Sequence, residues 1–496
     1  MSIDGAGQDT FTDDSAFPTG RGSFDPAERA TADVWAHVAG VLERQRLLAG
    51  RRPVSRPVDL EQLRTTIGAY RFEVPVQPGT VIDDVVALLD DGTVHTTDPR
   101  YFGLFNPTPT LMGVVGDTLA AAVNPQLAAW SHAPAAVEIE AHLVRFLGQR
   151  LGYPPDEVAG SFTSGGAEAN MTGVLLALTR TFPEYGTSGV RALRGEPVLY
   201  ASAESHLAWL KIAHATGLGR DAVRLVPVQP DLRMDLTRLR DLITSDRQAG
   251  RLPFLVIGTA GTTGAGVIDP LPELAEMCTE LDLRFHVDAA YGGAAALSDR
   301  LAPALAGIER ADSVTIDAHK WLSVPMGAGA LLCTDRDGLA ETFRVTTSYM
   351  PDEVFGAVDP YTSSQQWSRR FIGLKFFLSL AVAGQGGYAE QIDHDVALAE
   401  LIRQQLLAAG WRIVNDTPLP VVCFADQAAD DLPADEAWQH HSGLAARVVA
   451  GGQAWISPVR VGRHSALRAC VISHRTTAAD IEQLLTAVDS ARAVGV

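Results

Sequence analysis

The sequence predicts an α/β protein with a largely parallel central sheet, a helical N-terminal section and a small α+β C-terminal unit. Three observations carry this prediction. Between residues 197 and 334, short β-rich runs alternate with longer helical patterns. The runs are apolar almost throughout, as expected of strands covered on both faces in a parallel sheet. Before them apolar residues recur only at helical spacing, and beyond Gly384 a long helix leads into a cluster of shorter strands.

Apolar residues recur every three to four positions in PAERATADVWAHVAGVLERQRLLAG and LEQLRTTIGAY, so residues 26 to about 89 are read as mainly helical. The run YFGLFNPTPT, 101–110, mixes aromatics with Pro and Gly and must be irregular. Amphipathic helices follow over about 112–123 and 135–151. The sheet is expected from PVLYAS (197–202), VRLVPV (223–228), FLVIGTA (254–260), RFHVDAA (284–290), SVTIDA (313–318) and GALLCT (329–334). Beyond Gly384, a helix over about 388–409 precedes strands in WRIVN, PVVCFA, AWISPV and LRACVIS and a last helix over 477–493. The expected organisation is a flexible tail over 1–25, a helical section over 26–110, a large α/β domain over 111–384 and a small α+β domain over 385–496.

Composition narrows the function. A 46% apolar and 20% charged chain of 496 residues is an ordinary globular composition with room for a buried cofactor. The net charge of −19 argues against a nucleic-acid partner, which requires a dense basic surface. Cys278, Cys333, Cys423 and Cys470 lack CxxC or Cys/His metal spacing and sit in or beside apolar runs, as buried thiols of a reducing compartment do. No signal-peptide core or long apolar span is present, so a cytoplasmic protein without a membrane partner is expected.

Ligands of a parallel sheet bind beyond the carboxyl ends of its strands. Asp288 closes RFHVD, Asp317-Ala-His-Lys320 follows SVTI, and 259–263 closes FLVIG. One lysine or one aspartate alone is more often a solvated side chain or a helix cap. Together they match the needs of pyridoxal phosphate: an amine for the Schiff base, Lys320, and an acid beside the ring nitrogen, Asp288. An opposite charge keeps that nitrogen protonated and able to accept electron density. FTSGGAEAN, 162–170, opens a helix, and its glycines let backbone N–H groups approach a phosphate. His319 is placed to donate to that phosphate, and His206, near a helix start, to stack on the ring.

FTSGGAEAN, HVDAAYGG and TIDAHKWLSVP resemble the group II pyridoxal-dependent decarboxylases, the aromatic-amino-acid and glutamate decarboxylase group. SHAPAAVEIE, 131–140, also resembles the segment that precedes the phosphate loop in that family, and the resemblance runs from about residue 99 to the C-terminus. It implies the fold type I architecture, with Lys320 as the Schiff-base lysine and Asp288 as the partner of the pyridine nitrogen. It further implies His206 on the ring and at the substrate carboxylate, Ala290 beneath the ring, and Gly165, Gly166, Ala167, His319 and Thr263 around the phosphate. Phe105, Asn106, Pro107 and Thr108 would line the substrate pocket. The Gly165-Gly166 pair is closer to the glutamate decarboxylase pattern than to the serine-rich animal aromatic one, and Asp317 stands where asparagine is common.

The resemblance implies decarboxylation of an L-amino acid to its amine and a homodimer that shares pocket and loop between subunits. TTSYMPDEVFGAVDPYTSSQQ, 346–366, has no period and reads as an active-site lid. In the family such a loop carries the tyrosine that protonates the substrate carbon. Spacing to Arg369-Arg370 favours Tyr361, with Tyr349 in reserve, and a phenylalanine at the working position would imply oxidative aldehyde formation. Phe105 and Pro107, with no evident arginine for a side-chain carboxylate, favour a neutral or aromatic substrate. Transamination, other lyase chemistry and a non-catalytic cofactor-binding homologue are the alternatives on the same fold. No GxGxxG follows the first strand, which speaks against a dinucleotide-binding dehydrogenase.

Overall fold

The computed structural model describes residues 17–345, 354 and 356–493. A seven-stranded sheet comprises β1 (Ala159–Thr163), β2 (Pro197–Ser202), β3 (Val223–Val226), β4 (Leu252–Thr259), β5 (Arg284–Asp288), β6 (Ser313–Asp317) and β7 (Gly329–Cys333). Its order is β1-β7-β6-β5-β4-β2-β3. The β3-β2, β2-β4, β4-β5 and β5-β6 pairs are parallel, while β7 runs antiparallel to both β6 and β1. Strands β2, β6 and β7 are buried at every residue, as expected of a sheet covered on both faces.

The sequence reading missed β1. AGSFT carries Gly and Ser, which weaken any strand signal. Gly160 there is a packing requirement, because a Cβ would fall 2.1 Å from the Leu331 carbonyl oxygen on β7. Helices Pro134–Arg150 and Gly166–Thr181 pack against this sheet, and Leu143, Phe162, Val256 and Val314 belong to its main core.

A second, antiparallel sheet orders β8 (Trp411–Ile413), β9 (Val421–Asp426), β10 (Ser457–Val461) and β11 (His464–Cys470) as β10-β11-β9-β8. Helices Ala434–Ala450 and Ala478–Ala493 close a separate core around Trp411, Phe424 and Leu444. Helix Leu374–Ala408 joins the two parts and starts well before the expected 388, with its ladder broken at Gly384 (φ 68°). The irregular run after Tyr101 is pinned to the second part: Phe102 N–H donates to Trp455 O and accepts at its own carbonyl from Cys470 N–H. That anchoring sets the position of Phe105.

At the N-terminus, helices Glu28–Leu48, Leu60–Gly68 and Pro78–Gly92 leave several large apolar side chains exposed, including Trp35 and Ile67. All four cysteines are free and buried. Among the described residues, no helix is long and apolar enough to cross a membrane and no His/Cys/Asp/Glu group could hold a metal ion.

Candidate active site

Strand register brings the chemical residues together. Thr259 pairs with Asp288 across β4 and β5, Asp288 pairs with Thr315 across β5 and β6, and Asp317 ends β6 two residues later. The cavity beyond these ends is lined by Lys320, Asp288, Asp317, His206, Asn170, Ala290, Gly166, Ala167, Thr263, Tyr291 and Phe105, among others.

Asp288 is buried and held at both oxygens. Asn170 Nδ2 donates to Oδ2 at 2.9 Å and the Ala290 N–H to Oδ1 at 3.2 Å. Lys320 Nζ stands 3.2 Å from Asp317 Oδ2. The other Asp317 oxygen is buried and has no hydrogen-bond partner among the described residues.

The glycine pair lets helix Gly166–Thr181 start against the end of β6. A Cβ on Gly165 would meet the His319 ring at 3.3 Å, and one on Gly166 would lie 2.8 Å from Asp317 Oδ2 and 3.3 Å from the Ala290 Cβ. Glu168 secures this helix start by accepting from Ser164 N–H at 2.8 Å, Ser164 Oγ at 2.7 Å and Gln366 Nε2 at 2.6 Å.

Two histidines have assigned tautomers. His319 Nδ1 accepts from the Ala328 N–H at 3.1 Å, so Nε2 carries the proton, 3.8 Å from Asp317 Oδ2. His206 Nδ1 accepts from the Ala208 N–H at 3.1 Å, so its proton also sits on Nε2. Burial lowers the pKa of both rings, against an upward pull from Asp317 on His319 and chiefly from Asp288 on His206. Both are neutral N–H donors near pH 7.

The donor set fits pyridoxal phosphate. Lys320 could supply the amine and Asp288 the carboxyl group, and the N-terminus of a sixteen-residue helix, beside the His319 ring, could receive the anion.

The pocket segment is only partly as expected. Phe105 lines the cavity, stacked on Tyr291 with ring centroids 4.0 Å apart. Asn106 turns to Met326, its Nδ2 3.6 Å from Sδ, and Pro107 is buried. Thr108 faces away: its Oγ1 pairs with Ser473 Oγ at 2.9 Å and donates to Thr97 O at 3.0 Å. A run without period sends successive side chains in different directions, so the four residues that the resemblance groups do not form one wall.

Nor does the structure bring Tyr361 to the cavity. It sits in the turn Pro360–Thr362, buried, its ring 5.1 Å from Trp367 and its N–H on Ala128 O at 3.1 Å. Asp359 Oδ1 accepts from the Trp130 N–H at 2.7 Å and fixes that turn, so Tyr361 belongs to packed structure rather than to a lid. Tyr349 lies outside the described residues.

Three residues went unread in the sequence. Asn170 occurs in the quoted glycine motif, four residues after Gly166, a spacing that returns to the same helix face. His286 shares the face of β5 with Asp288 at i, i+2. Arg468, on β11, donates to Thr263 O and, at 3.3 Å, to Gly103 O, with its guanidinium 5.7 Å from the Phe105 ring centroid.

A two-part α/β chain with this amine, carboxylate and anion site is a pyridoxal-phosphate-dependent enzyme. Its residues 70–427 match the pyridoxal-dependent decarboxylase conserved domain, and the chain belongs to that family. It is a pyridoxal-phosphate-dependent carboxy-lyase that acts on an amino acid. It is 30% identical over 438 residues to an aromatic-L-amino-acid decarboxylase of Bacillus atrophaeus, covering 88% of this chain and 89% of that one. It is 29% identical over 479 residues to an L-2,4-diaminobutyrate decarboxylase of Acinetobacter baumannii, covering 93% and 92%. Among solved structures it is similar to mouse CSAD in apo form, with TM-score 0.88, 27% identity and coverage of 94% of this chain and 99% of that one.

Proposed function

We propose that the chain decarboxylates a neutral or aromatic L-amino acid to its amine. One observation carries the substrate class: the cavity wall is aromatic, with Phe105 stacked on Tyr291 and Tyr291 on Trp321 at 5.4 Å. Arg468, which lies over the Phe105 face, donates to the carbonyls of Thr263 and Gly103. The similarity to an aromatic-L-amino-acid decarboxylase supports the same class.

Bound pyridoxal phosphate supplies the electron sink for the pair released when the Cα–carboxylate bond breaks. The protein's residues do the rest. Lys320 Nζ would hold the cofactor through its amine, and Asp288 would keep a proton at the ring nitrogen. The Nε2–H of His206 faces the substrate and orients its carboxylate. The helix start at Gly165-Gly166-Ala167, with His319 and Thr263, holds the phosphate end. Ala290, small and buried, leaves room for the ring. Because Tyr361 is locked against Trp367, we assign the proton returned to Cα to Tyr349.

The test measures carbon dioxide, amine and aldehyde from wild type, Tyr349→Phe and Tyr361→Phe, on tryptophan, tyrosine, phenylalanine, glutamate, aspartate and L-2,4-diaminobutyrate. Expected is amine from an aromatic or neutral substrate, lost in Tyr349→Phe and kept in Tyr361→Phe. Turnover confined to glutamate, aspartate or diaminobutyrate refutes the substrate class. Amine formation unchanged in Tyr349→Phe refutes the proton donor. Two copies are proposed to pair through apolar surface such as Phe72, Leu111 and Val123, which are 92%, 76% and 74% exposed in one chain. Light scattering on the purified protein checks this, and a monomer would refute it. Four buried free thiols support a cytoplasmic setting.

A further inference from the structure

Behind Asp288 lies a buried chain of polar groups that the mechanism above does not use. Ser313 Oγ is 2.8 Å from His286 Nδ1, His286 Nε2 is 3.0 Å from Asn170 Oδ1, and Asn170 Nδ2 is 2.9 Å from Asp288 Oδ2. His286 has no exposed surface, and Ser313 and Asn170 are nearly as buried.

The chemistry of each group fixes every proton. An ionised carboxylate only accepts, so the Asn170 amide must present its NH₂ to Asp288. Its oxygen then faces His286, and because that oxygen also only accepts, Nε2 must carry the imidazole proton. Complete burial pushes the His286 pKa down to about 4, so the ring is neutral and Nδ1 is a bare acceptor. The Ser313 hydroxyl donates to it. The donors therefore run in one direction, serine to histidine to amide to carboxylate. The fold makes room for this arrangement, since a Cβ on Gly173 of the facing helix would fall 2.8 Å from His286 Nδ1. Trp209 closes the remaining side edge-on, with ring centroids 5.7 Å apart.

We propose that His286, acting through Asn170, is a positioning residue that holds the Asp288 carboxylate as a hydrogen-bond acceptor oriented for the ring nitrogen, so that the proton between them rests on that nitrogen. A carboxylate that accepts a hydrogen bond is a weaker base. Without the chain, Asn170 is free to turn its oxygen toward Asp288. The carboxyl then competes for the proton, and the ring loses the charge that draws electrons. The inference rests on Asp288 as the partner of the ring nitrogen.

The test uses holoenzyme reconstituted with pyridoxal phosphate labelled with ¹⁵N in the ring, whose chemical shift reports protonation at that atom. Its second readout is the dissociation constant of the cofactor. Wild type and His286→Gln, whose amide N–H can still donate to Asn170, are expected to show a protonated nitrogen. His286→Phe and Asn170→Ala are expected to shift it toward the unprotonated position near pH 7.5 and to weaken cofactor binding about tenfold, the scale of one hydrogen bond to a charged group. Asn170→Ala keeps a good helix former and serves if His286→Phe does not fold. A protonated nitrogen and unchanged affinity in folded His286→Phe or Asn170→Ala overturns the proposal. A protonated nitrogen in Asp288→Asn overturns it as well, but assigns the failure to the Asp288 reading.

Discussion

A neutral, buried His286 makes a prediction about acid stability that can be worked through. Its pKa is 6.5 in the ordinary state and about 4 in the fold, because burial outweighs the pull of Asp288. Between those values the unfolded chain binds a proton that the folded chain refuses. Stability from this group is thus complete above about pH 6.5 and is lost as the pH falls toward 4. A shift of about 2.5 units corresponds to roughly 3.4 kcal/mol in all, of which about 2 kcal/mol is lost between pH 7 and pH 5. Other buried acids act with the opposite sign. Asp269, raised to about 6, and Asp395, raised to about 7, are penalised when ionised, so their contribution improves on acidification. A comparison with His286→Gln, which cannot titrate, removes those shared terms. Urea midpoints of both proteins at pH 7 and pH 5 are expected to show the advantage of wild type shrinking by about 2 kcal/mol. Parallel behaviour of the two proteins, or a histidine NMR titration showing His286 protonated at pH 6, would refute the neutral ring.

Two further substitutions probe the surroundings. Gly166→Ala places a Cβ 2.8 Å from Asp317 Oδ2, so it is expected to displace that carboxylate from Lys320 and weaken cofactor retention by tenfold or more, read from the absorbance remaining after gel filtration. Arg369→Met removes the Nη2 partner of Glu140, 2.7 Å away and buried with it, and leaves a carboxylate supported, among the described residues, by the Gly373 N–H at 2.8 Å. A loss of about 3–5 kcal/mol is expected in urea unfolding, while the pyridoxal site keeps its spectrum.

Much of this architecture was legible because the signals were local. Asp288 ends one short β-rich run and Lys320 closely follows another, and in a parallel sheet such ends meet at one edge. The strand β1 was hidden by Gly160, whose reason for being glycine is the Leu331 carbonyl on a strand about 170 residues away. Tyr361 was chosen by distance along the chain to Arg369, a criterion blind to the Asp359–Trp130 bond that holds its turn. The resemblance groups Phe105 and Thr108 in one pocket wall, although in the fold they meet different neighbours, Tyr291 and Ser473. In HVDAA the period of two already set His286 and Asp288 on one face. What the sequence could not contain was Asn170 arriving between them from another element.

The two carboxylates of the cavity illustrate why those non-local contacts matter. Asp288 is held by two neutral donors, Asn170 and the Ala290 N–H, so its charge is oriented but not neutralised. Asp317 is held by a cation, Lys320, with one oxygen buried and without a partner among the described residues. A residue pair of the same chemical type at the same sheet edge thus has opposite electrostatic standing. Asp288, oriented by neutral donors, would leave its carboxylate to meet a protonated ring nitrogen there. Asp317 is paired with Lys320, and any change that draws Lys320 away leaves a buried carboxylate with His319 Nε2–H 3.8 Å off. The identity of the residue before Ala-His-Lys therefore bears on how firmly the lysine is held, and an asparagine at that position would hold it without the charge.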